Sequence, residues 1–271
     1  MNRHELGRCW HFAMVFSVIL CVAALNSAAE SPKLIFITED IDNFPYENGN
    51  GEAILPERPG ITVELLQRVA QRLRLDIEIQ RLPWKRCFAE LQQGRATGLF
   101  SASFKIERQE AGAYPMQGEQ LDRTRRMYTS AYMLYVLEGT AVQWDGATFL
   151  SPPKNIGAMR GYSIVDDLKK MGLPVTETKD IYVAFKQLHN GNLDAAAALE
   201  LAADAILEQH RGEFPHIRKV ALPLVSKDYY LMLSHQFIQK SPQLAEEIWN
   251  ALREIRESEA FQRDMQHYFQ E

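Results

Sequence analysis

Apolar and polar positions recur along the chain with two different periods, which predict strands and helices in regular succession. Residues 61–73 place Leu66, Val69 and Leu73 on one helical face, whereas residues 75–79 alternate apolar and polar side chains as a strand does. This alternation favours a mainly parallel sheet with helices on its faces. In this first half the pattern predicts strands at 34–37, 75–79 and 96–101 and helices at 61–73 and 84–93.

The alternation begins again near residue 156 and continues to the C-terminus. The segment from Ser163 to Asp166 has the spacing of a capping box and predicts that a helix starts there. Asp180 is a second predicted N-cap, of a helix that runs to His189 and is closed by Gly191. The second half thus predicts strands at 156–159, 173–177, 193–198, 217–222 and 229–233 and helices at 201–209, from 242 and over 261–268.

Two similar α/β units, with a helical segment left over at the C-terminus, predict a two-lobed α/β fold. We expect the C-terminal helices to return to the first unit. Lobe 1 then comprises residues 30–133 and 226–271, and lobe 2 comprises residues 134–225. The chain would cross between the lobes near residues 131–137 and 224–231, as a two-segment hinge. Ligands of such α/β proteins bind between the units.

The first 29 residues differ from the rest and predict a secretory signal peptide. A weakly basic start precedes an apolar run over residues 12–25, and Ser27 and Ala29 are small residues at the positions of a cleavage site. The alternative is an uncleaved anchor helix, but the apolar run is shorter than the roughly 20 residues that span a bilayer. We therefore expect cleavage after Ala29 and an exported protein.

Composition and motifs exclude several classes of function. The net charge of −5 argues against a general nucleic-acid binder. The chain has no GxSxG, HExxH or phosphate-loop signature, and its histidines lack metal-ligand spacing, so we expect no catalytic residue, no metal and no cofactor. Cleavage after Ala29 would leave Cys87 alone, which excludes an internal disulfide and favours a buried bystander on the helix at 84–93.

The segment after the strand at 96–101 carries the clearest candidate chemistry. Ser101 and Ser103 supply hydroxyl groups at the carboxyl end of that strand, where open α/β sheets place their ligands. Arg108 adds a planar guanidinium that matches the two oxygens of a carboxylate. Without further context, a surface arginine in a helix-start loop is the simpler interpretation of Arg108.

A series of short motifs supplies that context. In chain order they are NFPY at 43–46, GITVEL at 60–65, LPW at 82–84, LQQG at 91–94, SFKIER at 103–108, GAMRG at 157–161 and GNLDA at 191–195. No single motif is specific, but together their order and spacing resemble the family 3 extracellular solute-binding proteins, best known as polar amino-acid receptors of ABC transporters. The resemblance covers residues 34–269; one departure is Lys105, which replaces the family's threonine.

This resemblance implies a type II periplasmic-binding-protein fold, with two α/β lobes joined by a two-segment hinge. It also implies a periplasmic protein that closes around a small carboxylate-bearing solute, an amino acid or a similar compound, and delivers it to an ABC permease. We expect a monomer whose partners are the solute and a permease or membrane sensor.

By position, the resemblance assigns roles to several residues. Arg108 would hold the α-carboxylate of the ligand, helped by Ser103 and by Ser163 at a helix N-terminus, where free N–H groups favour anions. Trp84 and Phe44 would form apolar or stacking walls. For these two aromatic residues, plain core packing is an equally good interpretation.

The acidic residues match the family pattern less closely. Asp40 falls where basic-amino-acid receptors of the family keep an acid for the ligand's side chain. The family's acid for the α-ammonium would fall at Leu199, which cannot accept a hydrogen bond. Either the register shifts by one residue and Glu200 serves, or the ligand carries no ammonium, because a buried ammonium without a partner is costly.

Two other functions stay open at this stage. The first is an enzyme on the same scaffold, such as a dehydratase, for which Asp40, Asp42 and Glu200 are the candidate acids or bases. The second is a sensory or accessory binding protein that works without a transporter.

Overall fold

The computed structural model of the protein describes residues 33–269, so the predicted signal peptide at 1–29 lies outside the described residues. Short strands recur along the whole of this range. In chain order they are β1 (Leu34–Glu39), β2 (Ile77–Leu82), β3 (Gly98–Ser103), β4 (Met116–Gln117), β5 (Gln120–Leu121), β6 (Tyr128–Leu137), β7 (Gln143–Trp144), β8 (Phe149–Ser151), β9 (Ile156–Met159), β10 (Val175–Thr178), β11 (Ala195–Leu199), β12 (Ile217–Lys219) and β13 (Val225–Leu233).

Helices connect most of the longer strands, and three helices follow the last strand. The helices are α1 (Ile61–Leu73), α2 (Trp84–Gln92), α3 (Ser163–Lys170), α4 (Ile181–His189), α5 (Glu200–Gln209), α6 (His235–Lys240), α7 (Pro242–Glu257) and α8 (Glu259–Met265), with short 3₁₀ turns at Ile106–Glu110, Arg123–Arg125 and Gln266–Phe269.

One mixed sheet organises these elements, in the order β10-β9-β11-β6-β13-β3-β1-β2, with β12 added beside β6. Strands β1, β2 and β3 are mutually parallel, and so are β9, β10 and β11, because helices carry the chain back between them. Every pairing of β6 and of β13 is antiparallel. The predicted α/β class is confirmed, but the mainly parallel sheet is wrong: the two long central strands run against their neighbours.

Strands β6 and β13 join the two parallel groups. The first residues of β6 pair with β13 and its later residues pair with β11, while β13 pairs first with β6 and then, from Tyr229, with β3. These strands include most of the segments 131–137 and 224–231 where the sequence predicts the crossings. The lobe boundaries themselves stay a prediction.

One of the two predicted N-caps is confirmed and the other is wrong. Helix α1 spans the predicted residues, and the Asp180 side chain accepts a hydrogen bond of 2.7 Å from the Val183 N–H as the N-cap of α4. The capping box at Ser163 is wrong, because Tyr162 is the N-cap of α3 and no side chain caps it. The Ser163 hydroxyl is engaged elsewhere, with Ser103.

The C-terminal helices pack back onto α1. The Tyr268 hydroxyl accepts a hydrogen bond of 2.9 Å from the Gly60 N–H just before α1 and donates to Glu64 in its first turn. Apolar residues of α7, such as Ile248 and Leu252, are fully buried in the same core as Val63 of α1. These contacts place the end of the chain beside the first group of strands.

We expect Asp180→Ala to lower the free energy of unfolding by about 1 kcal/mol, because the first turn of α4 loses its side-chain acceptor. Lys179→Ala is the matched control, since the Lys179 side chain is largely exposed and lies 3.7 Å from the same carboxylate. Urea denaturation of both variants measures the difference. Equal stability of the two variants would contradict the capping role.

Candidate ligand-binding cavity

A small cavity is lined by residues of both groups of strands. Its volume is about 30 Å³. Glu39 and Ser103 approach it from the carboxyl ends of β1 and β3, and Leu199 from the carboxyl end of β11. Carboxyl ends of parallel strands are where open α/β sheets place ligands, so the topology puts the cavity at the expected edge.

Arg108 lies inside this cavity, with only 9% of its surface exposed. Its Nη1 donates to the carbonyl oxygen of Ser103 at 2.7 Å and to the hydroxyl of the same residue at 3.0 Å, and its Nη2 donates to the Gly161 carbonyl at 3.2 Å. The guanidinium carries more N–H groups than these contacts use. It also lies over the rings of Trp84 and Phe88, 5.4 and 5.1 Å from their centroids.

Two serines meet beside Arg108. The hydroxyl groups of Ser103 on β3 and Ser163 at the start of α3 are 3.0 Å apart, and both residues are buried. This hydrogen bond joins the first group of strands to the second. It places two hydroxyls and a guanidinium at one end of the cavity, a set of groups suited to an anion.

A buried carboxylate, that of Glu47, forms another part of the lining. It accepts a hydrogen bond of 2.7 Å from the Asn43 side-chain amide and further hydrogen bonds from the hydroxyls of Thr62 and Ser101. Burial raises the pKa of Glu47, and these donors oppose the increase. Both carboxylate oxygens are therefore already engaged within the protein.

Ser101 reaches Glu47 through an irregularity of β3. Its φ of 62° lies in the left-handed region, and the register between β3 and β13 shifts at this point, as in a β-bulge. A non-glycine residue in this conformation is uncommon and is typical of functional sites.

Arg81 holds the loop that carries Glu47. This arginine is 2% exposed, and its guanidinium donates to the backbone carbonyls of Glu39, Ile41 and Asn48 at 2.8–3.0 Å. The contacts tie the end of β1 to the loop before α1. The sequence did not point to Arg81, because this residue lies just beyond the predicted strand at 75–79, in line with the apolar positions of that strand.

Glu39 faces the cavity from β1 and accepts a hydrogen bond from the hydroxyl of Tyr162, which precedes α3. The pKa of Glu39 is raised from 4.5 to about 7, chiefly by burial and also by the nearby Asp40 and Glu47, while the Tyr162 hydrogen bond and Arg81 oppose the increase. This contact is a further link between the two groups of strands.

Tyrosines from β6 and β13 line the remaining side. Tyr128 stacks on Tyr229 with centroids 4.6 Å apart, and Tyr132 lies in the same wall. The indole N–H of Trp84 is buried and has no hydrogen-bond partner within residues 33–269, whereas the Tyr229 hydroxyl interacts with the hydroxyl of Tyr132. None of these tyrosines was among the predicted site residues, although the places of Tyr132 and Tyr229 on the predicted crossing segments were a usable signal.

The structure brings together five of the predicted site residues. Trp84 and Arg108 line the cavity with the three serines; Asp40, Phe44 and Glu200 do not. The set that lines it is Trp84, Ser101, Ser103, Arg108 and Ser163.

The three other residues have different surroundings. Asp40 follows β1 and borders a separate, open groove, so that its neighbour Glu39 is the acid in the cavity. The ring of Phe44 lies under the Arg58 guanidinium, 5.7 Å away. Glu200 starts α5 and accepts a hydrogen bond of 2.8 Å from Lys219, which leaves Leu199 to face the cavity.

Among residues 33–269, no cluster of histidine, cysteine or acidic side chains has a geometry suited to a metal ion. Within the same range no helix combines the length and apolar character required to cross a membrane.

The family is decided by a match over nearly the whole chain. The family model of the bacterial extracellular solute-binding proteins, family 3, matches residues 35–271. The chain belongs to this family. No curated protein sequence is significantly similar to this family 3 chain.

Solved structures share its fold. The substrate-binding protein of an amino acid ABC transporter has a TM-score of 0.66 at 17% identity, and the match covers 88% of this chain and 99% of that one. A histidine kinase sensor domain with similarity to periplasmic binding proteins has a TM-score of 0.66 at 16% identity, and the match covers 88% of this chain and 96% of that one. The arginine-, lysine-, histidine-binding protein ArtJ of Geobacillus stearothermophilus has a TM-score of 0.65 at 18% identity, and the match covers 88% of this chain and 96% of that one.

Proposed function

We propose that this protein binds a small carboxylate-bearing solute, an amino acid or a similar compound, in the cavity around Arg108. The observation that carries the proposal is the buried guanidinium, which keeps unused N–H groups beside the Ser103 and Ser163 hydroxyls. A carboxylate there would receive charge-assisted hydrogen bonds in a site shielded from water. Membership of a family of extracellular solute-binding proteins supports the same conclusion.

Binding would proceed by hinge closure. A cavity of about 30 Å³ holds on the order of two water molecules, so a solute enters only when the two sides separate. The contacts that would break on opening include those of Glu39 with Tyr162, Ser103 with Ser163, Lys105 with Asp166 and Arg108 with Gly161. Strands β6 and β13 would form the hinge between lobe 1 (30–133 and 226–271) and lobe 2 (134–225).

The closed form would be recognised by a membrane partner. We propose a periplasmic monomer, freed of residues 1–29, that delivers its solute to an ABC permease. The structural neighbours include both a transporter's binding protein and a kinase sensor domain, so a sensor is the second candidate partner. The family and the structural neighbours are binding proteins, and the three acids that the sequence offers for a dehydratase, Asp40, Asp42 and Glu200, lie outside the cavity.

The test is a thermal-shift screen of the protein purified without residues 1–29 against amino acids, 2-hydroxy acids and simple carboxylic acids. We expect at least one acid to raise the melting temperature, with a micromolar Kd by calorimetry and a smaller radius of gyration in X-ray scattering. If no carboxylate stabilises the protein, the assignment of Arg108 fails. Binding without compaction would refute the hinge alone.

A further inference from the structure

The charges that line the cavity are unevenly distributed. Among the described residues its one cationic group is Arg108, and its carboxylates, Glu39 and Glu47, both lie on the side of β1 and the following loop. The opposite wall presents the hydroxyls of Tyr162 and Ser163 and the apolar side chain of Leu199. That wall therefore offers no anionic partner to a positively charged group of the solute.

Neither carboxylate is a free partner for a cation. Both oxygens of Glu47 accept hydrogen bonds from Asn43, Thr62 and Ser101. One oxygen of Glu39 accepts a hydrogen bond from Tyr162, and burial raises the pKa of this carboxyl to about 7. Near neutral pH, a buried ammonium would have to rely on one shared and partly protonated carboxyl group.

The group of the cavity that lacks a partner among the described residues is a donor. The Trp84 indole N–H can only donate, and it has no acceptor among the described residues. The Tyr229 hydroxyl lies in the same lining, in a residue that is 5% exposed, and interacts with the Tyr132 hydroxyl. Trp84 lies against the Arg108 guanidinium, 5.4 Å from ring centroid to Cζ, so the acceptor that it requires lies close to a carboxylate bound by Arg108.

We propose that the solute is a small carboxylic acid whose second carbon bears a hydroxyl or keto oxygen in place of an ammonium group, with Trp84 and Tyr229 as hydrogen-bond partners of that oxygen. The proposal rests on the function proposed above and names its substrate class. Arg108 and the serines hold the carboxylate, Trp84 and Tyr229 hold the second oxygen, and Leu199 packs against the carbon chain. An amino acid would instead place its ammonium against the Trp84 N–H and the apolar Leu199.

The test compares matched compounds on the wild-type protein by calorimetry at pH 7.5. Each set has one carbon skeleton: lactate, alanine and propanoate; 3-phenyllactate, phenylalanine and 3-phenylpropanoate; 2-hydroxyglutarate, glutamate and glutarate. In the best-binding set, we expect the hydroxy acid to bind at least tenfold more tightly than both the amino acid and the deoxy acid. Tighter binding of the amino acid overturns this inference and leaves the proposed function intact, whereas no binding of any acid refutes both.

Two variants test the residues. Tyr229→Phe removes the hydroxyl and retains the ring stacked on Tyr128, so we expect about a tenfold loss for the hydroxy acid, no change for the deoxy acid and no lower melting temperature of the free protein. Equal losses of affinity for both acids, or a lower melting temperature, would show that the Tyr229 hydroxyl has a structural role. Leu199→Asp should shift the preference towards the amino acid; an unchanged preference in a folded variant counts against the proposed position of the second oxygen.

Discussion

Replacing Arg108 by alanine is expected to weaken binding of the best carboxylic acid of the screen at least about thirtyfold. The guanidinium is buried and supplies the one positive charge of the cavity among the described residues. Loss of one partner of a buried, charge-assisted hydrogen-bonded pair costs about 2–5 kcal/mol, and each 1.4 kcal/mol is a factor of roughly ten in Kd. Calorimetry on the purified variant measures the loss.

Arg108→Lys is the matched control for this experiment. Lysine keeps the charge but loses the planar fork and the stacking on Trp84 and Phe88, so its Kd should fall between those of the wild type and Arg108→Ala. A melting temperature taken without solute separates loss of binding from loss of fold. Wild-type affinity in a folded Arg108→Ala protein would show that the carboxylate binds elsewhere.

The second large effect concerns Glu39. Because folding raises its pKa from 4.5 to about 7, its contribution to stability is fully present below pH 4.5 and is lost as the pH rises through about 7. Glutamine resembles the protonated carboxyl and can still accept a hydrogen bond from Tyr162. We expect Glu39→Gln to gain stability relative to the wild type as the pH rises, by at most about 3 kcal/mol at pH 8.

Urea denaturation of both proteins at several pH values between 5 and 8 measures this difference. Tyr162→Phe is the control that removes the hydrogen bond but leaves the carboxyl group, so it should keep the pH dependence that Glu39→Gln loses. A difference between Glu39→Gln and the wild type that stays constant over this range would show that the Glu39 carboxyl does not titrate there.

Local sequence signals account for most of the elements. The apolar face of residues 61–73 predicts α1, and the short apolar run at 156–159 predicts β9, each with the bounds that the structure has. Both signals depend on neighbours within a few positions. The strand directions in the sheet were harder to predict, because the antiparallel direction of β6 and β13 depends on pairing with strands far along the chain.

The cavity was predictable only in part, for the same reason. The segment around Arg108 carries several polar groups within a few residues, so its role follows from local order and from the family resemblance. Glu47 and Arg81 gave no such signal, since their partners Ser101 and Asn48 lie 54 and 33 positions away. At the end of β1 the sequence indicates Asp40, but the structure places Glu39 in the cavity.

The sequence by itself determined most of the strands and helices in their order, the α/β class and the Arg108 segment, because periodicity, capping and motif spacing are properties of neighbouring residues. Only the tertiary structure decided which polar groups face the cavity and which of them are already paired. Burial and hydrogen bonding between distant segments set the pKa of Glu39 and leave the Trp84 N–H without an acceptor. Those two properties, which no local pattern records, decide what the cavity can bind.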